Sequence, residues 1–195
     1  MGYNPDKHHR RSIRLRNWNY TNAGSYFVTI CCKNRKCLFG KIVLGKMILN
    51  EYGEIAFNEW ANTIKIRPNV KLHEFVVMPN HFHGIVEIRG VCDTPLRQRY
   101  ANAFCSPSNT VGAIIRGYKS AVTKQIWARG CMGVLHTPIQ PNAPIMPNAP
   151  KTPILRIPIW QRNYYEHIIR NDTEYARIAR YINNNPILWK GDCFY

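Results

Sequence analysis

Two histidines one residue apart, His81 and His83, are the first residues of this chain whose types and spacing can do chemistry. The run His81 to Ile88 reads as a β-strand, where residues i and i+2 share a face. Both imidazoles then point one way, with Phe82, Gly84 and Val86 on the other side. Two neutral imidazoles on one face can chelate a divalent cation. The plainer alternative is a pair of ordinary, hydrogen-bonded strand histidines. A second pair, Tyr181 and Asn185, stands four residues apart on a helix-like stretch, so the two side chains lie one above the other. They flank a stripe formed by Ile178 and Ile182, at the margin of the face that would meet a sheet. A phenol there can reach a site on that sheet; the alternative is a core-edge tyrosine and an asparagine cap ahead of Pro186. Glu174 falls near the same line of the helix. Cys31, Cys32 and Cys37 invite a zinc reading, but adjacent cysteines in a strand point to opposite faces.

These residues need elements to hold them. Ser25 to Cys32 is aromatic and β-branched and reads as a strand, and Cys37 to Val43 as a second short one. Met47 to Asn50 leads into a helix whose apolar stripe is Tyr52, Ile55, Ala56, Trp60 and Ile64. Lys71 to Val77 and His81 to Ile88 are two more strands around a Met78-Pro79-Asn80 turn. Gly90 to Pro107 reads as a loop. A helix from about Thr110 to Trp127 carries Val111, Ile114, Ile115, Tyr118, Val122 and Ile126 on one stripe, with Arg116, Lys119 and Lys124 off it. Trp160 to Tyr165 is aromatic and precedes a turn. The last helix opens on an Asn171 cap with Glu174 three residues on, and runs to about Asn185, where Pro186 stops it. This mixture suggests an α+β fold with a ferredoxin-like (RRM-like) antiparallel sheet and helices packed on one face.

The chain has 195 residues, enough for one domain with a real core. We read residues 1–195 as a single domain with a basic N-terminal tail (about 1–20) and a Pro-rich insertion (about 131–158). That insertion holds seven of the 13 prolines and repeats Pro-Asn-Ala-Pro at Pro141 and Pro147, a composition suited to extended, polyproline-like chain rather than a packed core. Lys plus Arg number 27 against 11 Asp plus Glu, a formal charge of +16 that points to a polyanionic partner, nucleic acid ahead of a membrane surface. No run approaches the roughly 20 apolar residues of a membrane span. The first 20 residues lack the apolar core of a secretory signal, so the seven cysteines are expected as reduced thiols in the cytoplasm.

Met78-Pro79-Asn80-His81-Phe82-His83-Gly84 resembles the His-hydrophobic-His motif of the HUH endonucleases. Tyr181-Ile182-Asn183-Asn184-Asn185-Pro186 resembles the tyrosine motif of their single-tyrosine transposase branch. Trp160 to Arg170 (WQRNYYEHIIR) and Phe27-Val28-Thr29-Ile30-Cys31, with Asn34-Arg35 following, are similar to signatures of the REP-associated tyrosine transposases. The resemblance covers nearly the whole chain except the Pro-rich stretch, with its four segments in the family's order.

The resemblance implies that Tyr181 is a nucleophile, that His81 and His83 are metal ligands, and that Asn185 fills the position of a third, amide-bearing ligand. Nitrogen and oxygen ligands with open positions suit Mg²⁺ or Mn²⁺. Attack by Tyr181 would leave a 5′-phosphotyrosine link and a free 3′-hydroxyl, which allows rejoining. Tyr164 and Tyr165 are rival nucleophiles on residue type, but they precede the helix and lack the amide four residues on. The expected partner is single-stranded DNA, including hairpin repeats, bound by a monomer or homodimer at the bacterial nucleoid. Arg14, Arg16, Arg116, Lys119, Lys124 and Arg162 would follow its backbone, and Trp160, Tyr164 and Tyr165 would stack on its bases. The competing expectation is a non-catalytic RRM-like module that grips single-stranded nucleic acid; it gives the paired histidines and the Tyr181/Asn185 spacing no role.

Overall fold

The computed structural model describes residues 23–89, 110–129 and 158–191. The basic tail with Arg14 and Arg16, the loop from Gly90 to Pro107 and nearly all of the Pro-rich insertion lie outside the described residues. Four strands form one antiparallel sheet: β1 (Gly24–Cys31), β4 (Val70–Val77), β5 (His81–Ile88) and β6 (Tyr165–Ile169), in the order β4-β5-β1-β6. With α1 (Glu51–Ala61) after β1 and α3 (Val111–Ala128) after β5, the order is the β-α-β-β-α-β of a ferredoxin-like fold. A fourth helix, α4 (Asp172–Asn184), follows β6.

One expectation is refined and another changes. Met47 to Asn50 does lead into a helix, but as a strand and the helix's N-cap. Lys46–Leu49 (β3) pairs with Gly40–Val43 (β2) as a separate hairpin, and Asn50 is the N-cap of α1, its side-chain oxygen accepting from the Tyr52 and Gly53 N–H groups. The hairpin turns through Leu44 and Gly45, both at positive φ. Two such residues make the tight turn that matches strand twist, an unusual conformation for Leu. Ile64 also falls out of the core stripe: α1 ends at Ala61, and Ile64 in α2 (Thr63–Ile66) is exposed.

Strand alternation gives the sheet two unlike faces. Tyr26, Val28, Ile30, Phe82, Val86 and Ile88 face α1 and α3 and join Ile55, Trp60, Ile114, Tyr118 and Val122 in one large core. Trp60 sits at its centre, with ring centroids 4.6 Å from Phe82 and 5.2 Å from Tyr118. The one-face placement of helices holds for α1 and α3 but needs correction for α4. Its buried Ile178 and Ile182 pack with Ile85 on the opposite face, beside Phe27, Val76 and Ile169. A helix with so narrow an apolar stripe still buries it, because Ile85 and its neighbours offer an apolar patch of matching size on an otherwise polar face.

Candidate active site

His81 and His83 lie on the α4 face of β5, with ring centroids 4.5 Å apart, and both are buried. Each ring is oriented through its Nδ1. His83 Nδ1 lies 2.8 Å from Thr29 Oγ1 on β1, its direct cross-strand neighbour. His81 Nδ1 lies 2.7 Å from the Asn80 side-chain oxygen. That oxygen only accepts, so His81 Nδ1 carries a proton, and in the neutral ring Nε2 keeps the lone pair. Burial, reinforced by His81, holds His83 well below the ordinary imidazole range, so its ring is neutral at pH 7.

Tyr181 comes to this pair from the other side. α4 delivers its hydroxyl to 3.2 Å from His83 Nε2, across 98 residues of sequence. In the tautomer whose Nδ1–H donates to Thr29 Oγ1, Nε2 is the acceptor for the phenolic proton. Tyr181 is 37% exposed, so solvent reaches part of the residue. Phe27 packs between the groups, stacked on His83 at 5.3 Å and edge-on to Tyr181 at 6.2 Å. Beyond α4 the chain returns over the pair, placing Trp189 on His81 at 5.9 Å. Asn185, 1% exposed at the helix C-cap, thus stands in the chain between a residue touching His83 and one touching His81.

The other expected site residues divide. Glu174 is not at the site: its carboxylate holds His167 Nε2 at 2.7 Å and accepts the Arg170 N–H at 3.0 Å, closing the helix start. Trp160 is 8% exposed, packed on Phe39 and Tyr118, with its indole N–H donating to the Lys119 carbonyl. It is a core residue, not a stacking surface, because its bridge to Cys32 draws it under the sheet's edge. Lys119 Nζ donates to the carbonyls of Gln161 and Asn163 at 2.8 and 2.9 Å. It clamps the chain entering β6, and burial lowers its pKa to about 8. Arg116 and Lys124 are exposed but ride on α3, across the sheet from Tyr181. Arg162 is exposed. Tyr164 donates to Glu166 Oε2 at 2.9 Å. Tyr165 opens β6 directly opposite Thr29, is 54% exposed, and lies edge-on to Phe27 at 6.4 Å.

Sequence reasoning missed Thr29, Asn80, Phe27 and Trp189 as site residues, and the exposed Lys190 next to Trp189. Asn80 could have been found, since it adjoins His81. Thr29 and Phe27 could not, because they meet His83 only through the β1–β5 register.

Among the described residues no three His, Cys, Asp or Glu side chains converge to hold a metal ion. A cation at this site would rest on the two imidazoles. The anchored Nδ1 atoms fit that role, since metal-binding histidines are usually fixed through their second nitrogen while the first faces the ion.

No family model matches the chain. The architecture is that of a solved transposase. Over 89% of this chain and 73% of the other, it superposes on a REP-associated tyrosine transposase bound to a REP hairpin, with a TM-score of 0.54 at 18% identity. By sequence, the chain is 44% identical over 198 residues to an uncharacterized protein of Haemophilus influenzae, covering 99% of this chain and 97% of that one. It belongs to the same family as that protein.

Proposed function

We propose that this protein is a transposase-type enzyme that nicks and rejoins single-stranded DNA, with Tyr181 as its nucleophile. The observation that carries the reading is the Tyr181 hydroxyl at 3.2 Å from His83 Nε2, on a partly exposed residue beside a buried histidine pair. The shared fold with a hairpin-bound transposase supports the same reading. A pure binding module would have no use for a phenol held on an oriented imidazole.

In the proposed reaction Tyr181 Oη attacks the scissile phosphorus and the bond to the 3′ oxygen breaks. The enzyme keeps the 5′ phosphate as a phosphotyrosine ester; the phenolic proton is given up and the departing 3′ oxygen gains one. Attack by a 3′-hydroxyl on that ester reverses the step and joins strands. His81, His83 and Asn185 would hold a divalent cation. Such an ion, when bound, supplies a positive charge that polarises a non-bridging phosphate oxygen. A donor set of two imidazoles and one amide, with no carboxylate, suits Mn²⁺ better than Mg²⁺. His83 Nε2 has one lone pair, so the phenol must leave it for that nitrogen to serve as a ligand. Phe27 and exposed Tyr165 border the site on the side α4 leaves open, where an unpaired base can stack. Lys190, exposed beside Trp189, would meet a flanking phosphate.

The test is incubation with labelled single-stranded DNA and Mn²⁺, followed by denaturing electrophoresis. A covalent protein–DNA adduct is expected from the wild type and none from Tyr181→Phe, which removes one oxygen and keeps the ring. An adduct that survives in Tyr181→Phe would overturn the assignment.

A further inference from the structure

The first turn of α4 is held from both edges of the sheet. On one side Glu174 Oε1 lies 2.7 Å from His167 Nε2 of β6. On the other, the next residue, Tyr175, reaches β4: its hydroxyl donates to Glu74 Oε2 at 2.7 Å and lies 2.9 Å from His73 Nδ1. His73 Nε2 in turn lies 2.7 Å from Glu87 Oε2 on β5. The single phenolic proton goes to Glu74, and the His73 ring stands within hydrogen-bond distance of both the phenol oxygen and Glu87, tying β4 to β5.

Consecutive residues of a regular strand face opposite sides, so one hydroxyl should not meet both residue 73 and residue 74. It does so because β4 is bulged there. The register runs Leu72 to Val86 and then Phe75 to Gly84, leaving His73 and Glu74 together opposite Ile85. A bulge of this kind re-aims side chains. Tyr175 itself is not prepared for attack: burial and its bond to Glu74 push its pKa up to about 12.

Tyr175 and Tyr181 ride on one helix, roughly 9 Å apart along its axis. Any rotation of α4 allowed at the Tyr175 end moves the Tyr181 hydroxyl off His83. We propose that His73, Glu74, Glu87 and Tyr175, with the Glu174–His167 contact opposite, form a two-sided latch that fixes the rotation of α4 and so places Tyr181 on the histidine pair. These are positioning residues, and the inference rests on the reading of Tyr181 as nucleophile.

Tyr175→Phe keeps the ring against His73 and removes the hydroxyl. Three readouts are compared with wild type: single-turnover adduct formation, affinity for single-stranded DNA, and amide hydrogen exchange along α4. The expected result is adduct formation slowed by about tenfold or more, since misplacement by an ångström costs up to about 10²-fold. DNA affinity should stay within about twofold, and exchange in α4 should quicken. Glu74→Gln keeps an oxygen for the hydroxyl and should retain most of the rate, whereas Glu74→Ala should behave like Tyr175→Phe. Unchanged exchange in Tyr175→Phe overturns the latch, and faster exchange with an unchanged rate overturns its positioning role. Tyr181→Phe, run in parallel, separates the two failures. If it forms adduct like wild type, the nucleophile reading falls and takes this proposal with it. If it alone is dead while Tyr175→Phe is normal, only the latch falls.

Discussion

The two faces of the sheet are built from the same four strands and do different work. The face under α1 and α3 is apolar almost throughout, with Trp60, Phe82 and Tyr118 interlocked at its centre. The face under α4 has a small apolar patch around Ile85 and is otherwise His, Thr, Glu and Tyr, joined by hydrogen bonds. Stability scales with buried apolar area, so the first face supplies most of it. That leaves the second free to carry groups that are costly to bury and useful for chemistry. A strand with period-2 alternation can serve both: Phe82 is core while His81 and His83, on either side of it, are site.

This division can be broken from either side. The largest expected effect is on chemistry: His83→Ala should lower adduct formation by about 10³-fold or more, equivalent to about 4 kcal/mol. Its circular dichroism and melting temperature should stay near wild type; collapse of the fold would show that the site face carries stability after all. Next is Trp60→Ala, expected to cost about 3–5 kcal/mol of unfolding free energy in a denaturant titration. In the fraction that remains folded, adduct formation per molecule should be unchanged. A loss of chemistry beyond the loss of folded protein would mean that the faces are coupled. The smallest effect is expected from Thr29→Val, which keeps the shape and removes the partner of His83 Nδ1. Mn²⁺ affinity, measured by calorimetry, should fall by about 10- to 100-fold, and Thr29→Ser should restore it. An unchanged affinity would remove the argument that this ring is oriented for a cation.

How far the sequence could be read follows the same division. His81–Ile88 was expected as a strand with its histidines on one face, and the structure has it so, because Phe82, Val86 and Ile88 alternate against a face with no other claim on it. The Asn171 cap and the stop near Pro186 were legible from local chemistry. β6 was not. Tyr165 to Ile169 is short, carries Glu and His, and pairs along one side only, so it lacks the apolar alternation that marks an inner strand. β2 lies within the strand expected over Cys37 to Val43, but its turn into β3 was hidden by Leu44, where a positive φ would ordinarily call for Gly or Asn. Placing α4 on the opposite face was also beyond the pattern: Ile178 and Ile182 say that the helix packs, not on which side. The candidate site was legible in its residue types, but its supports were not. Thr29, Trp189 and the His73–Tyr175 network arise from register and a bulge, which no local motif announces.

The contacts at Tyr181 also set a timetable for the chain as it is made. His83 meets a partner 54 residues back at Thr29 and another 98 residues ahead at Tyr181. Contacts so far apart in sequence form late in folding, and synthesis runs at roughly 5–20 residues per second. The histidine pair therefore emerges and can enter its sheet seconds before the tyrosine exists. On the proposed function, a growing or partly folded chain would have no means to cut until α4 has docked, and strand breakage would be confined to molecules that have finished folding.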